Sequence, residues 1–196
     1  MEEVKTLMLS ENEITQAVKV IQSGGTVAFR TETFYGIGAN LRNSNKIFGA
    51  KQIEGHRNYV MFFSSLEKAV KYFGDVITDV ERKIFTKFQG GLTIVLPKSN
   101  IAVRIPNDPI AVKLLSYFDE PLLVSSANIS GMPAATTWQQ VLKNLGGRVD
   151  AVIASGPCRI GAGTTIIKMN GYNMEVIRHG CTDVIQIQKF IDTIRK

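Results

Sequence analysis

Three separate stretches of this chain put hydroxyls and glycines where an apolar run stops. The first is GGTVAFRTETFYGIG, residues 24–38, in which the run Thr26 to Phe29 leads into Thr31, Glu32, Thr33, Tyr35, Gly36 and Gly38. The second is SSANISG, residues 125–131, and the third is SGPCRIGAG, residues 155–163, which leads to Thr164. Polar, glycine-bearing bends at strand ends are where open α/β sheets bind small ligands. Taken singly each bend also reads as an ordinary turn. Cations accompany them: Lys51, Arg57, Arg104, Arg159 and Arg178 fall at expected strand ends or beside the loops. Cations near hydroxyls and backbone amides suit a polyphosphate and a carboxylate, for which positioning and charge neutralisation do most of the catalytic work.

Other chemistries lack their residues. There is no GxSxG, HExxH or GxxxxGK[ST] pattern, and Tyr35-Gly36-Ile37-Gly38 is one glycine short of a dinucleotide fingerprint. Cys158 and Cys181 stand 23 residues apart without a ligand-spaced partner, and His56 and His179 are isolated. The expectation is therefore no structural metal, and a reducing, cytoplasmic setting. The N-terminal MEEVKTLMLS has neither the pattern of a secretory signal nor that of a transit peptide, and no run reaches the roughly 18 apolar residues of a membrane span.

The elements that must position these residues alternate along the chain. Ser10 and Glu13 form a capping box ahead of Ile14, Ala17, Val18 and Ile21, and Gly24 and Gly25 end that helix. Helices are predicted from Asn43 to about Gln52, after Ser65, after the capping box Thr78/Glu81, from Pro109, from Trp138 to Leu145, and over Val184 to Ile194. Strands are predicted at Thr26–Phe29, Tyr59–Phe63, Leu92–Leu96, Ile101–Ile105, Leu122–Val124, Ala151–Ala154, Thr164–Met169 and Met174–Arg178. Tyr59–Phe63 reads as covered on both faces, and Leu92–Leu96 as antiparallel to Ile101–Ile105. With 196 residues, 44% hydrophobic and 20% charged, the pattern describes one mixed α/β domain. A net charge of +6 favours anionic partners such as nucleotides or RNA.

Five ordered blocks then make the chain resemble the Sua5/YciO/YrdC family, the threonylcarbamoyl-AMP synthases of tRNA modification: GGTVAFRTETFYGIGAN, VRIP at 103–106, SANISG at 126–131, TTII at 164–167 and VIRHG at 176–180. The resemblance implies a twisted, mixed parallel and antiparallel sheet with a crevice at strand ends. It also implies a nucleotidyltransferase that converts L-threonine, bicarbonate and ATP to threonylcarbamoyl-AMP and pyrophosphate, with Mg²⁺ accompanying the triphosphate.

By the same resemblance, Thr31, Arg104, Ser126 and Thr164 would hold threonine, with Arg104 on its carboxylate. Lys51, Asn128, Thr136 and Arg178 would hold the nucleotide, and Thr33 would serve the carbamate region. A tRNA threonylcarbamoyl transferase complex would take the product, and tRNA or double-stranded RNA is a possible partner. The chain departs from the family pattern at Ile53, where a second phosphate-binding cation is usual, and at Phe63, where histidine is usual. Arg30 replaces a proline, and Gln89-Gly90-Gly91 replaces Pro-Gly-Pro. Arg57 is the candidate to fill the place of the cation missing at Ile53. The alternative reading is a divergent relative that binds RNA through its basic surface.

Overall fold

A computed structural model describes residues 5–52, 59–97 and 99–195. Its strands are β1 Leu7–Ser10, β2 Val27–Phe29, β3 Gly36–Ala39, β4 Val60–Phe62, β5 Leu92–Leu96, β6 Ile101–Arg104, β7 Leu122–Ser126, β8 Ala151–Ala154, β9 Thr165–Asn170 and β10 Asn173–Arg178. Its helices are α1 Ile14–Gln22, α2 Ser44–Lys51, α3 Leu66–Phe73, α4 Asp79–Lys87, α5 Pro109–Ser116, α6 Trp138–Leu145 and α7 Val184–Ile194. The strands join one sheet in the order β1-β8-β2-β3-β7-β4-β6-β5-β9-β10. Parallel pairs (β1/β8, β2/β8, β4/β6, β5/β9) mix with antiparallel ones, among them β5/β6 as expected.

Both capping boxes form. Ser10 N–H and Oγ reach Glu13 Oε2 at 2.8 and 2.7 Å, closing a single 3₁₀ turn that runs into α1. Thr78 N–H donates to Glu81 Oε2 at 3.0 Å and starts α4. Asp108 caps α5 through Ile110 N–H at 2.9 Å, with Pro109 in its first turn.

Two strands lie outside the sequence expectation. β1 is an edge strand, half exposed at Leu7 and Met8, whose alternation is too short to read. β3 occupies what reads as glycine loop. Gly36 and Gly38 sit there because a Cβ at either would come within 2.7 Å of Val124 Cγ1 and 2.9 Å of Phe29 Cε1 respectively.

Side chains alternate between the two faces of the sheet. On one face α1 and α5 bury Val27, Phe29, Leu122, Val124, Ala151 and Ile153. On the other, α2 and α6 cover Ala28, Ile37, Leu123 and Val152, while α3, α4 and α7 cover Ile94, Leu96, Val103, Ile167 and Met169. Each fully buried Leu, Ile, Val or Phe contributes roughly 1.5–3 kcal/mol of transfer free energy. On the face held by α1 and α5, past the ends of those helices, polar side chains take over at Thr93 and Arg104. β4 is accordingly covered less completely than expected, with Val60 and Phe62 turned toward a cavity.

Candidate functional site

The three polar bends converge. One cavity of about 480 Å³ is lined by Thr31, Thr33 and Gly36 from the first, Ser125, Ser126 and Asn128 from the second with Met132 just after it, and Gly163 and Thr164 from the end of the third. Val60, Phe62, Thr93, Arg104, Val124, Ile166 and Arg178 add to its wall from the strands. The size suits a small organic ligand. Sheet register explains the convergence. Gly36 pairs with Ser126, Phe62 with Arg104, and Ile166 with both Thr93 and Arg178.

Arg104, 7% exposed, is gripped on two sides. Its Nε donates to Gly90 O at 3.2 Å, and its Nη2 reaches Glu32 Oε1 at 2.5 Å and Thr33 Oγ1 at 2.8 Å. The Phe62 ring lies below it, 5.1 Å from Cζ. A two-bond grip on a ligand carboxylate, which an arginine fork can offer, is thus partly filled by the protein's own acceptors. Thr31 Oγ1 bonds Phe34 O at 2.7 Å and lies 3.0 Å from Thr33 Oγ1, so the two hydroxyls share one turn.

Across the cavity, Arg178 donates to Thr164 O through Nη2 (2.7 Å) and Nε (3.1 Å), and to Thr164 Oγ1 at 3.1 Å. Thr164 Oγ1 in turn lies 2.8 Å from Thr93 Oγ1. Burial, with the Arg104 charge adding to it, lowers the Arg178 pKa from the usual arginine value. Two guanidiniums facing one hollow repel each other, and an anion between them relieves that repulsion.

Lys51 reaches the wall from behind. Its ammonium, on a side chain 4% exposed, bonds Ser126 O, Asn128 O (2.8 Å) and Asn128 Oδ1 (3.3 Å), holding the second bend in shape. Asn128 Nδ2 closes that bend on Met132 O at 2.6 Å. Thr136 lies off the cavity, with its N–H (2.7 Å) and hydroxyl (3.1 Å) both on Gln140 Oε1. Arg159 is exposed and donates to Asn107 O at 3.2 Å. Phe63 points into the α3/α4 core, its ring 5.6 Å from Tyr72 and 5.8 Å from Phe73, and takes no part in the site. Ile53, His56 and Arg57 lie outside the described residues.

Sequence reading left Thr93 unassigned and gave Glu32 no role. The signal for Thr93 is a single hydroxyl on alternate register inside the buried run Leu92–Leu96. Glu32 is the one carboxylate in its bend and is 2% exposed. Two further ties brace the wall. Fully buried Tyr35 bonds Ser155 O at 2.8 Å, and burial raises its phenol pKa, so it stays a neutral donor. Arg30 Nε pairs with Asp108 Oδ2 at 3.0 Å, linking the end of β2 to the start of α5. Among the described residues no three His, Cys, Asp or Glu side chains cluster as metal ligands.

The chain is similar in sequence to threonylcarbamoyl-AMP synthase of Pyrococcus abyssi, 32% identical over 202 residues that cover 95% of this chain and 59% of that protein. A Methanocaldococcus jannaschii protein provisionally given the same name is 34% identical, covering 95% of each. The solved structure of P. abyssi Sua5 complexed with L-threonine superposes with a TM-score of 0.83 at 29% identity, over 94% of this chain and 60% of that one. The chain thus spans about three fifths of the Pyrococcus proteins it matches. Residues 19–180 match the family model described as telomere recombination. With its fold, its five motif blocks and that match in agreement, the chain belongs to the Sua5/YciO/YrdC family.

Proposed function

We propose that this protein is an L-threonylcarbamoyladenylate synthase. The observation that carries the reading is the meeting of Thr31, Arg104, Ser126, Thr164 and Arg178 in one cavity, within a family member whose Pyrococcus relative is complexed with L-threonine. Arg104 takes the amino-acid carboxylate, with the Thr31, Ser126 and Thr164 hydroxyls around the rest of the zwitterion. The amine and bicarbonate form a carbamate with loss of water. A carbamate oxygen then attacks the α-phosphorus of ATP, and pyrophosphate leaves.

The protein supplies no nucleophile to this sequence. Glu32 is committed to Arg104 and Asn107, so the reaction relies on positioning and on charge neutralisation. Arg178 and Asn128 face the nucleotide end, and Lys51 keeps Ser126 and Asn128 in place while adding positive charge behind them. Thr33, bonded to Arg104, is next to the carbamate. Mg²⁺ would arrive on the triphosphate, held mainly by phosphate oxygens and water, which fits a wall without a carboxylate cluster among the described residues. The product is a mixed anhydride that a tRNA threonylcarbamoyl transferase would consume. No helix among the described residues is long and apolar enough to cross a membrane.

Pyrophosphate release from ATP tests the reading, and it should require both threonine and bicarbonate. Release that ignores threonine would overturn it. The net charge of +6 leaves RNA binding as the second reading. Titration with tRNA at two salt concentrations separates the two, because phosphate-driven binding falls steeply with salt. Salt-sensitive binding without turnover would favour the second.

A further inference from the structure

We infer that Glu32 is a positioning residue, whose buried carboxylate sets the orientation in which Arg104 meets the amino-acid substrate. The inference rests on the synthase reading for its substrate, and on the geometry alone for the coupling of the two side chains. Glu32 Oε1 takes Arg104 Nη2 at 2.5 Å, and Oε2 accepts from Asn107 N–H at 3.1 Å. The Glu32 carbonyl accepts from Ile160 N–H at 2.9 Å, so backbone and side chain are both anchored. Gly90 completes the vice. It presents its carbonyl to Arg104 Nε, and a Cβ there would come within 3.3 Å of Glu32 Oε1.

The consequence is a guanidinium with its Nε/Nη2 edge occupied by the protein. Its remaining terminal nitrogen, Nη1, makes no hydrogen bond to a described residue. A ligand carboxylate therefore meets Arg104 at Nη1, with the Thr33 hydroxyl beside it. Without Glu32 the fork keeps only neutral acceptors, Gly90 O and the Thr33 hydroxyl, and turns more freely about its last torsions. Glu32 thus decides where the substrate carboxylate sits.

The test uses the full chain carrying Glu32→Gln, which keeps shape and removes charge. The KM for threonine should rise about tenfold or more, the worth of one charge-assisted contact, while the KM for ATP stays within about twofold. A purely structural role would change both, or only thermal stability. Glu32→Asp, which keeps the charge but withdraws it by one methylene, should fall between wild type and Glu32→Gln. It also serves as the reporter if Glu32→Gln does not fold.

A second measurement needs no substrate. In ¹⁵N spectra of the arginine side chains, the Arg104 Nε–H, identified by its loss in Arg104→Lys, should be slow to exchange in the wild type and fast in Glu32→Gln. An unchanged exchange rate in Glu32→Gln, or an unchanged threonine KM, overturns the inference. Wild-type protein that does not bind threonine overturns the synthase reading instead, and the exchange rate still decides the role of Glu32.

Discussion

Lys51 shows how one residue can serve a site without facing it. Its ammonium bonds two carbonyls of the second bend, so a Lys51→Ala change removes a charge and leaves Asn128 O seeking a new partner, while Ser126 O keeps the Asn128 N–H at 3.0 Å. We expect turnover to fall at least tenfold and the melting temperature to drop; an unchanged rate in a steady-state pyrophosphate assay would remove Lys51 from the mechanism. Cys158 offers a pH-dependent counterpart. Burial, the largest cause, with Asp108 and Glu32 adding to it, pushes its thiol up from 9.0 to about 11. The folded state therefore holds this proton more tightly than the unfolded chain. The resulting stability is complete below the unfolded value and is lost as pH rises from about 9 to about 11. Denaturant midpoints measured across that window should decline, and Cys158→Ser should flatten the decline in part, because Tyr35 is raised in the same direction. An identical slope in the variant would show that Cys158 contributes nothing.

At the scale of elements, the connections around β10 and α4 separate stability from binding. Gly180 follows β10, and a Cβ on it would lie 2.3 Å from the Thr164 carbonyl carbon and 2.4 Å from Gly163 O. Gly180→Ala must push that backbone aside at a cost of about 1–3 kcal/mol, and it shifts Thr164 together with the Arg178 that grips it. Glu81→Ala removes the α4 capping box at a cost of about 1–2 kcal/mol, far from the cavity. Both variants should melt earlier, but only Gly180→Ala should weaken threonine and ATP affinity in calorimetric titrations. Equal loss of affinity in both would mean that the site responds to global stability alone. The helices and their caps were legible because spacing and capping are local properties. β3 was not, because Gly36 and Gly38 carry no apolar alternation; they are there to let Val124 and Phe29 approach, a demand made by neighbours distant in sequence.

For the molecule as a whole, ligands that bind only the folded state should raise its melting temperature. Saturation at 100 times Kd is worth about 2.7 kcal/mol, which is several degrees for a chain of this size. Threonine and ATP should each give a shift, and together a shift larger than the greater of the two, since the sites proposed for them share one cavity with two guanidiniums whose repulsion an anion relieves. No shift with either ligand in differential scanning fluorimetry would separate this chain from the activity proposed for it.

By itself the sequence determined the mixed α/β class, most elements, three polar bends and the family, because capping boxes, periodicity and ordered motifs are written in neighbouring residues. Family resemblance named Thr31, Thr33, Arg104, Ser126, Asn128, Thr164 and Arg178 as site residues, and the fold brings them to one cavity. Tertiary structure alone decided that Lys51 sits behind the wall, that Thr136 lies off it, that Phe63 faces the opposite core, and that Glu32 and Thr93 belong to the site. The reason is physical. A side chain's type limits what it can bond, but its partners come from strands paired across the sheet, and that register is set by the packing of the entire chain.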